Sequence, residues 1–74
     1  LNKNLKTYNM KTNRFKTIEA FKNYASENYH DFWHCQDEDI TRAWNYYNSE
    51  DARLNNFSLN YCLDVSLEVS QYNY

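Results

Sequence analysis

The sequence predicts an α+β fold, a small β-α-α-β domain with two helices packed on one face of a short antiparallel sheet. Two periodicities point to it. At the C-terminal end Phe57, Leu59, Tyr61, Leu63, Val65, Leu67 and Val69 alternate with Ser58, Asn60, Cys62, Asp64, Ser66 and Glu68. Alternation of this kind puts apolar and polar side chains on opposite faces of a strand. In the middle, apolar residues recur instead at intervals of three and four, the repeat of a helix buried on one side. Two helices over one sheet face would bury both patterns at once.

In chain order, residues 5–12 read as a short strand, with Tyr8 and Met10 alternating against Thr7, Asn9 and Lys11. Thr17 then provides an N-cap for a first helix from 18 to about 30, extendable to 35, whose stripe is Ile18, Phe21, Ala25, Tyr29 and Phe32. A second helix starts at Asp37, which can cap it, carries Ile40, Ala43, Trp44 and Tyr47, and ends at Asn48 and Ser49. A further turn capped by Ser49 holds Ala52 and Leu54. Asn55 and Asn56 then turn the chain into the long strand, because asparagine tolerates the left-handed conformation in a sequence without glycine. The expected core is Ile18, Phe21, Ala25, Tyr29, Ile40, Ala43, Trp44, Phe57, Leu59, Leu63, Val65 and Leu67.

Seventy-four residues, 42% hydrophobic and 19% aromatic, make one domain (1–74), too apolar and ring-rich for a disordered chain. It divides into a basic N-terminal strand or arm (1–16), a helical middle (17–56) and the long strand (57–70). With neither glycine nor proline, the glycine-dependent phosphate loops, dinucleotide fingerprints and calcium loops are excluded. No cofactor is implied. No stretch is long and apolar enough to span a bilayer, and the expectation is a cytoplasmic protein of a bacterial host cell. Cys35 and Cys62 are expected to remain thiols.

Charge is distributed unevenly. Residues 1–16 carry Lys3, Lys6, Lys11, Arg14 and Lys16 with no acid, whereas Glu27, Asp31, Asp37, Glu38, Asp39, Glu50 and Asp51 are opposed between 27 and 51 by Arg42 alone. Asp37, Glu38, Asp39, Glu50 and Asp51 suit a surface that docks onto a basic groove, and they also suit helix first turns, where carboxylates complement the macrodipole. Tyr24 and Tyr46 fall off the apolar stripes and add amphipathic binding area. The basic segment, with Tyr8 and Phe15, offers the alternative of nucleic-acid binding, against a net charge of −2. Glu27, His30 and His34 stand at i, i+3 and i+7, one face of a continuous helix and a metal-binding pattern short of a fourth ligand. Nothing in the sequence points to an enzyme.

The long strand exceeds any partner strand in the chain, so its free edge is expected to pair with a target protein or with a second copy in a two-fold homodimer. On that reading, proline at Ser66 would weaken association more than folding.

In size and composition, short, acidic in its body and rich in Asn and Tyr, the chain resembles the small inhibitors that phages and mobile elements direct against bacterial defence, of anti-CRISPR and antirestriction type. The resemblance implies binding to a larger nucleic-acid-handling complex such as a nuclease, and it implies no particular site residue. The basic N-terminus is a departure from pure DNA mimicry.

Overall fold

The computed structural model describes residues 14–72, and these are helical, with no strand among them. The elements are α1 (Ile18–Asn28), a single 3-10 turn (Phe32–His34), α2 (Asp37–Tyr47), α3 (Glu50–Leu54) and α4 (Leu59–Tyr72). The expected α+β class is therefore corrected to all-α: the segment read as the long strand is the longest helix. The expected strand at 5–12 lies outside the described residues.

Burial shows why 59–72 coils. Leu59, Cys62, Leu63 and Ser66 are all buried, at spacings of three, one and three, which is one helical stripe. Tyr61 and Val69, placed by alternation on the apolar face, are exposed. Alternation misleads here because Cys62 packs as a small hydrophobe, 0% exposed, and Ser66 is buried by satisfying its hydroxyl. A lone strand of this length would also need hydrogen-bond partners from elsewhere, whereas a helix satisfies its backbone internally. With 59–72 helical the long strand's edge does not exist, and the expectation that it pairs with a target or a second copy loses its basis.

The helix starts behave as the sequence suggests, with one change. Thr17 Oγ1 accepts from Ala20 N–H at 3.1 Å, and Ser49 Oγ accepts from Ala52 N–H at 3.2 Å. At α2 the N-cap is Gln36 rather than Asp37, and Asp39 reaches back to accept from Gln36 N–H at 2.9 Å. Asn56 adopts φ 55°, the left-handed turn expected in a chain with no glycine.

The core gathers Phe21, Ala25, Tyr29, Ile40, Ala43, Tyr47, Ala52, Leu59, Cys62 and Leu63. Of the expected core, Trp44, Phe57, Val65 and Leu67 are partly buried, and Ile18 is exposed. Helices α2 and α4 form the main packing pair. They are pinned by Arg42, whose Nη1 lies 3.0 Å from Asp39 Oδ1 and 3.1 Å from both the carbonyl and Oγ of Ser66. Ser66 Oγ–H in turn donates to the Asp39 carbonyl at 2.8 Å.

At the other end of α2, Arg14 closes the fold. It donates to the carbonyls of Tyr47 at 2.6 Å and Phe57 at 2.9 Å, and its guanidinium lies 3.9 Å from the centre of the Tyr47 ring. The Tyr47 hydroxyl accepts from Phe15 N–H at 2.9 Å. Arg14 thus serves the packing, offsetting the dipole where α2 ends, and is not simply one of five dispersed basic charges. Arg14→Ala is expected to cost about 2–3 kcal/mol, from lost charged hydrogen bonds and the ring contact. Urea unfolding checks this; a loss below about 0.5 kcal/mol, the scale of an ordinary surface substitution, would refute the clasp.

Candidate functional site

The chain between α1 and α2 makes the most distinctive surface. Helix α1 stops at Asn28 because Tyr29 turns to extended backbone (φ −91°, ψ 119°) and sends its ring inward, 4% exposed. Its hydroxyl donates to Asp64 Oδ1 on α4 at 2.5 Å. Burial, then that hydrogen bond, pushes the hydroxyl well above its ordinary ionisation range. In the following 3-10 turn Phe32 packs against the core, and Trp33 projects outward, 78% exposed, with its ring centre 4.1 Å from that of His34.

Beside this turn runs a groove of about 460 Å³, with Asp31, His34, Gln36 and Glu38 on one wall and Leu67, Ser70 and Gln71 of α4 on the other. A second hollow shares Asp31, Leu67 and Gln71 and adds Asp64 and Glu68. Among the described residues no Lys or Arg lines either one, and Asp31, Glu38, Asp39, Asp64 and Glu68 concentrate negative charge there.

The five acids expected to share one surface are divided. Asp37 and Glu38 are exposed at the N-terminal end of α2, where Asp37 stands 3.5 Å from Lys22 Nζ. Asp39 lines the groove but is 5% exposed and committed to Gln36 and Arg42, which leaves it little surface to offer a partner. Glu50 and Asp51 lie beyond the far end of α2, on the first turn of α3, with Asp51 accepting from Asn55. Tyr24 is 47% exposed but leans on Phe15, with ring centres 5.2 Å apart. Tyr46 is half-buried against Phe57.

The metal-binding pattern does not assemble. Glu27 stays on α1, whereas His30 and His34 lie beyond its end, so the i, i+3, i+7 face is broken at Tyr29. His30 Nε2 is 3.1 Å from Asp31, and no group of three or more His, Cys, Asp or Glu among the described residues is arranged to hold a metal ion.

Trp33 is absent from the sequence-based expectations, Asp31 enters them only as one acid of the 27–51 stretch, and Asp64 and Glu68 only as polar positions of the long strand. Running α1 through to 35 hid the turn that exposes Trp33. Reading 57–70 as a strand obscured Asp64 and Glu68, which at i, i+4 share a helical face.

Both thiols are free, and burial pushes each up to about 11, with Asp39 and Asp31 adding to the effect at Cys35. Neither is an activated nucleophile, since the thiolate is the reactive form. Relative to the ordinary value of 9.0, the thiolate fraction at neutral pH is lower by about a hundredfold, so alkylation of the folded protein by iodoacetamide is expected to be slower by about that factor than in urea. Equal rates, followed by mass spectrometry, would refute it. The same shift fixes a pH trend. Above pH 9 the unfolded chain loses thiol protons that the folded chain keeps, so stability is full below 9 and declines as pH rises through 11.

No described helix is long and apolar enough to cross a membrane. No family model, curated protein or solved structure matches the chain.

Proposed function

We propose that the protein is a small binding module that docks the acidic face around Trp33 onto a basic surface of a larger protein. The observation that carries this is Trp33, 78% exposed, its ring centre 4.1 Å from that of His34, which lines a groove whose charged walls are carboxylates. An aromatic residue left in water forgoes about 1.5–3 kcal/mol that burial would return, and tryptophan is among the commonest anchors of protein interfaces. Flanking carboxylates speed encounter with a basic partner and reject acidic ones. The grooves in which nucleic-acid-handling proteins hold phosphates have that basic chemistry. Together with the resemblance in size and composition to anti-defence inhibitors, this makes a nuclease or similar complex in a bacterial cytoplasm the proposed target, and inhibition by occupying its groove the proposed mechanism.

The test is purification of the tagged protein from a host cell, with proteins and nucleic acids both identified, followed by affinity measurement on the recovered protein. Trp33→Ala is expected to weaken binding by tenfold or more, and the combination of Asp31→Asn with Glu38→Gln to slow association and flatten its salt dependence. Recovery of bare nucleic acid alone, or an affinity indifferent to all three substitutions, would sink the proposal.

A further inference from the structure

A groove larger than the one beside the 3-10 turn lies at the opposite end of α2 from Trp33. It measures about 1030 Å³ and is lined by Arg14, Lys16 and Arg53, by Phe15 and Leu54, and by one carboxylate, Glu50. Leu54 is 72% exposed, and Lys16 and Arg53 are exposed. The two ends of the molecule are therefore complementary: one offers an exposed indole beside His34 of the carboxylate-walled groove, the other a roomy, partly apolar groove in which Lys16 and Arg53 are the exposed cations, Arg14 being held by the clasp, against one acid. The eleven residues of α2 hold these ends about 16 Å apart, too far for one molecule to satisfy itself.

We propose that the protein associates with itself head to tail, the Trp33 face of one copy seated in the Arg14, Lys16 and Arg53 groove of the next. The occupant follows from charge and shape. A polyanion in the cationic groove would meet a chain carrying ten acids against eight Lys and Arg, a formal net charge of −2. A second copy instead brings its carboxylates locally, beside an apolar ring that Leu54 and Phe15 can cover, and Arg53 or Lys16 over the indole would add cation–π attraction. A two-fold pairing of Trp33 faces would oppose acid to acid, whereas the head-to-tail contact joins unlike ends and leaves one of each free. Growth is then open-ended, strengthened by concentration and weakened by salt. The inference rests on the Trp33 face being a docking surface, and implies that self-assembly and target binding compete for it.

Light scattering or sedimentation from micromolar to millimolar protein tests it. Average mass is expected to rise continuously above that of the monomer, and to fall back in high salt. One variant, Trp33→Ala with Glu38→Gln, lacks the knob; another, Lys16→Gln with Arg53→Gln, lacks the cationic groove. All four positions are exposed, and circular dichroism verifies that both variants fold. Each alone is expected to stay monomeric, and an equimolar mixture to form a capped dimer of twice the monomer mass and nothing larger. A parent that is monomeric throughout, variants that assemble alone, or a mixture that stays monomeric would each overturn the proposal. Failure here, with the Lys16/Arg53 variant and the parent binding a target equally, would leave the Trp33 docking function standing. Assembly as described, with a target indifferent to Trp33, would support the association and remove the docking function.

Discussion

Proline in place of Ser66 is expected to remove about 4 kcal/mol or more, a large part of the protein's stability. The position lies within α4, where proline removes the amide donor to the carbonyl one turn earlier and its ring clashes with that carbonyl, at a cost of about 3 kcal/mol or more. It also deletes a hydroxyl, 2% exposed, that joins Arg42 to the Asp39 carbonyl, for about a further 1 kcal/mol. A domain of this length has only about 4–11 kcal/mol in total, at roughly 0.05–0.15 per residue. Urea unfolding followed by far-UV circular dichroism should show a midpoint far below that of the parent. Ser66→Ala, which keeps the backbone intact, should cost about 1 kcal/mol and stay folded. Were 57–70 a strand, proline would instead spare folding and impair only association, so a Ser66→Pro protein within about 1 kcal/mol of the parent in urea unfolding would refute the helical assignment.

Phe21→Ala is expected to have the next largest effect, about 3–5 kcal/mol. Phe21 is 0% exposed, with ring centres of Tyr47 at 5.1 Å, Trp44 at 5.3 Å and Phe15 at 6.3 Å. Removing the ring leaves a cavity between α1, α2 and the clasped segment, and none of these rings can pivot into it without surrendering its own contacts. For a domain of this size each kcal/mol moves the thermal midpoint by about 4–8 °C, so the loss should read as tens of degrees. Phe21→Leu, which restores most of the volume, should recover more than half. A midpoint shift under about 5 °C for Phe21→Ala would mean that the aromatic cluster is not the centre of the core.

These two residues also mark how much was legible in the sequence. Phe21 and Ala25 follow Thr17 at helical spacing, and that local signal survives because cap and stripe agree. Ser49 and Asn56 were legible for the same reason, each acting on its immediate neighbours. The region 57–72 carried two periodicities at once. Alternation of large apolar residues was the more conspicuous, and the i, i+3, i+4, i+7 stripe of Leu59, Cys62, Leu63 and Ser66 passed unnoticed because two of its members count as polar by type. Only the tertiary structure, with Arg42 and Asp39 waiting to satisfy Ser66, makes that serine an interior residue. The candidate site was less legible still. The excess of acids was visible, but which of them cap helices and which face solvent depends on the break at Tyr29 and on Gln36 taking the cap of α2. Trp33 owes its exposure to a three-residue turn that no periodicity announces.

The clasp made by Arg14 has a kinetic side. Its bonds to Tyr47 and Phe57 span 33 and 43 residues of chain, whereas the turns within each helix close locally. Loop closure over such separations follows the assembly of nearby elements, so these bonds contribute little to the folding transition state. Stabilisation absent from that barrier is expressed in the unfolding rate, and 2–3 kcal/mol placed there lengthens the lifetime of the native state by roughly thirty- to more than a hundredfold while leaving the folding rate nearly unchanged. With no proline to impose slow isomerisation, the folding of this chain should be fast and its persistence governed by a latch, a single guanidinium holding the segment before α1 onto the end of α2.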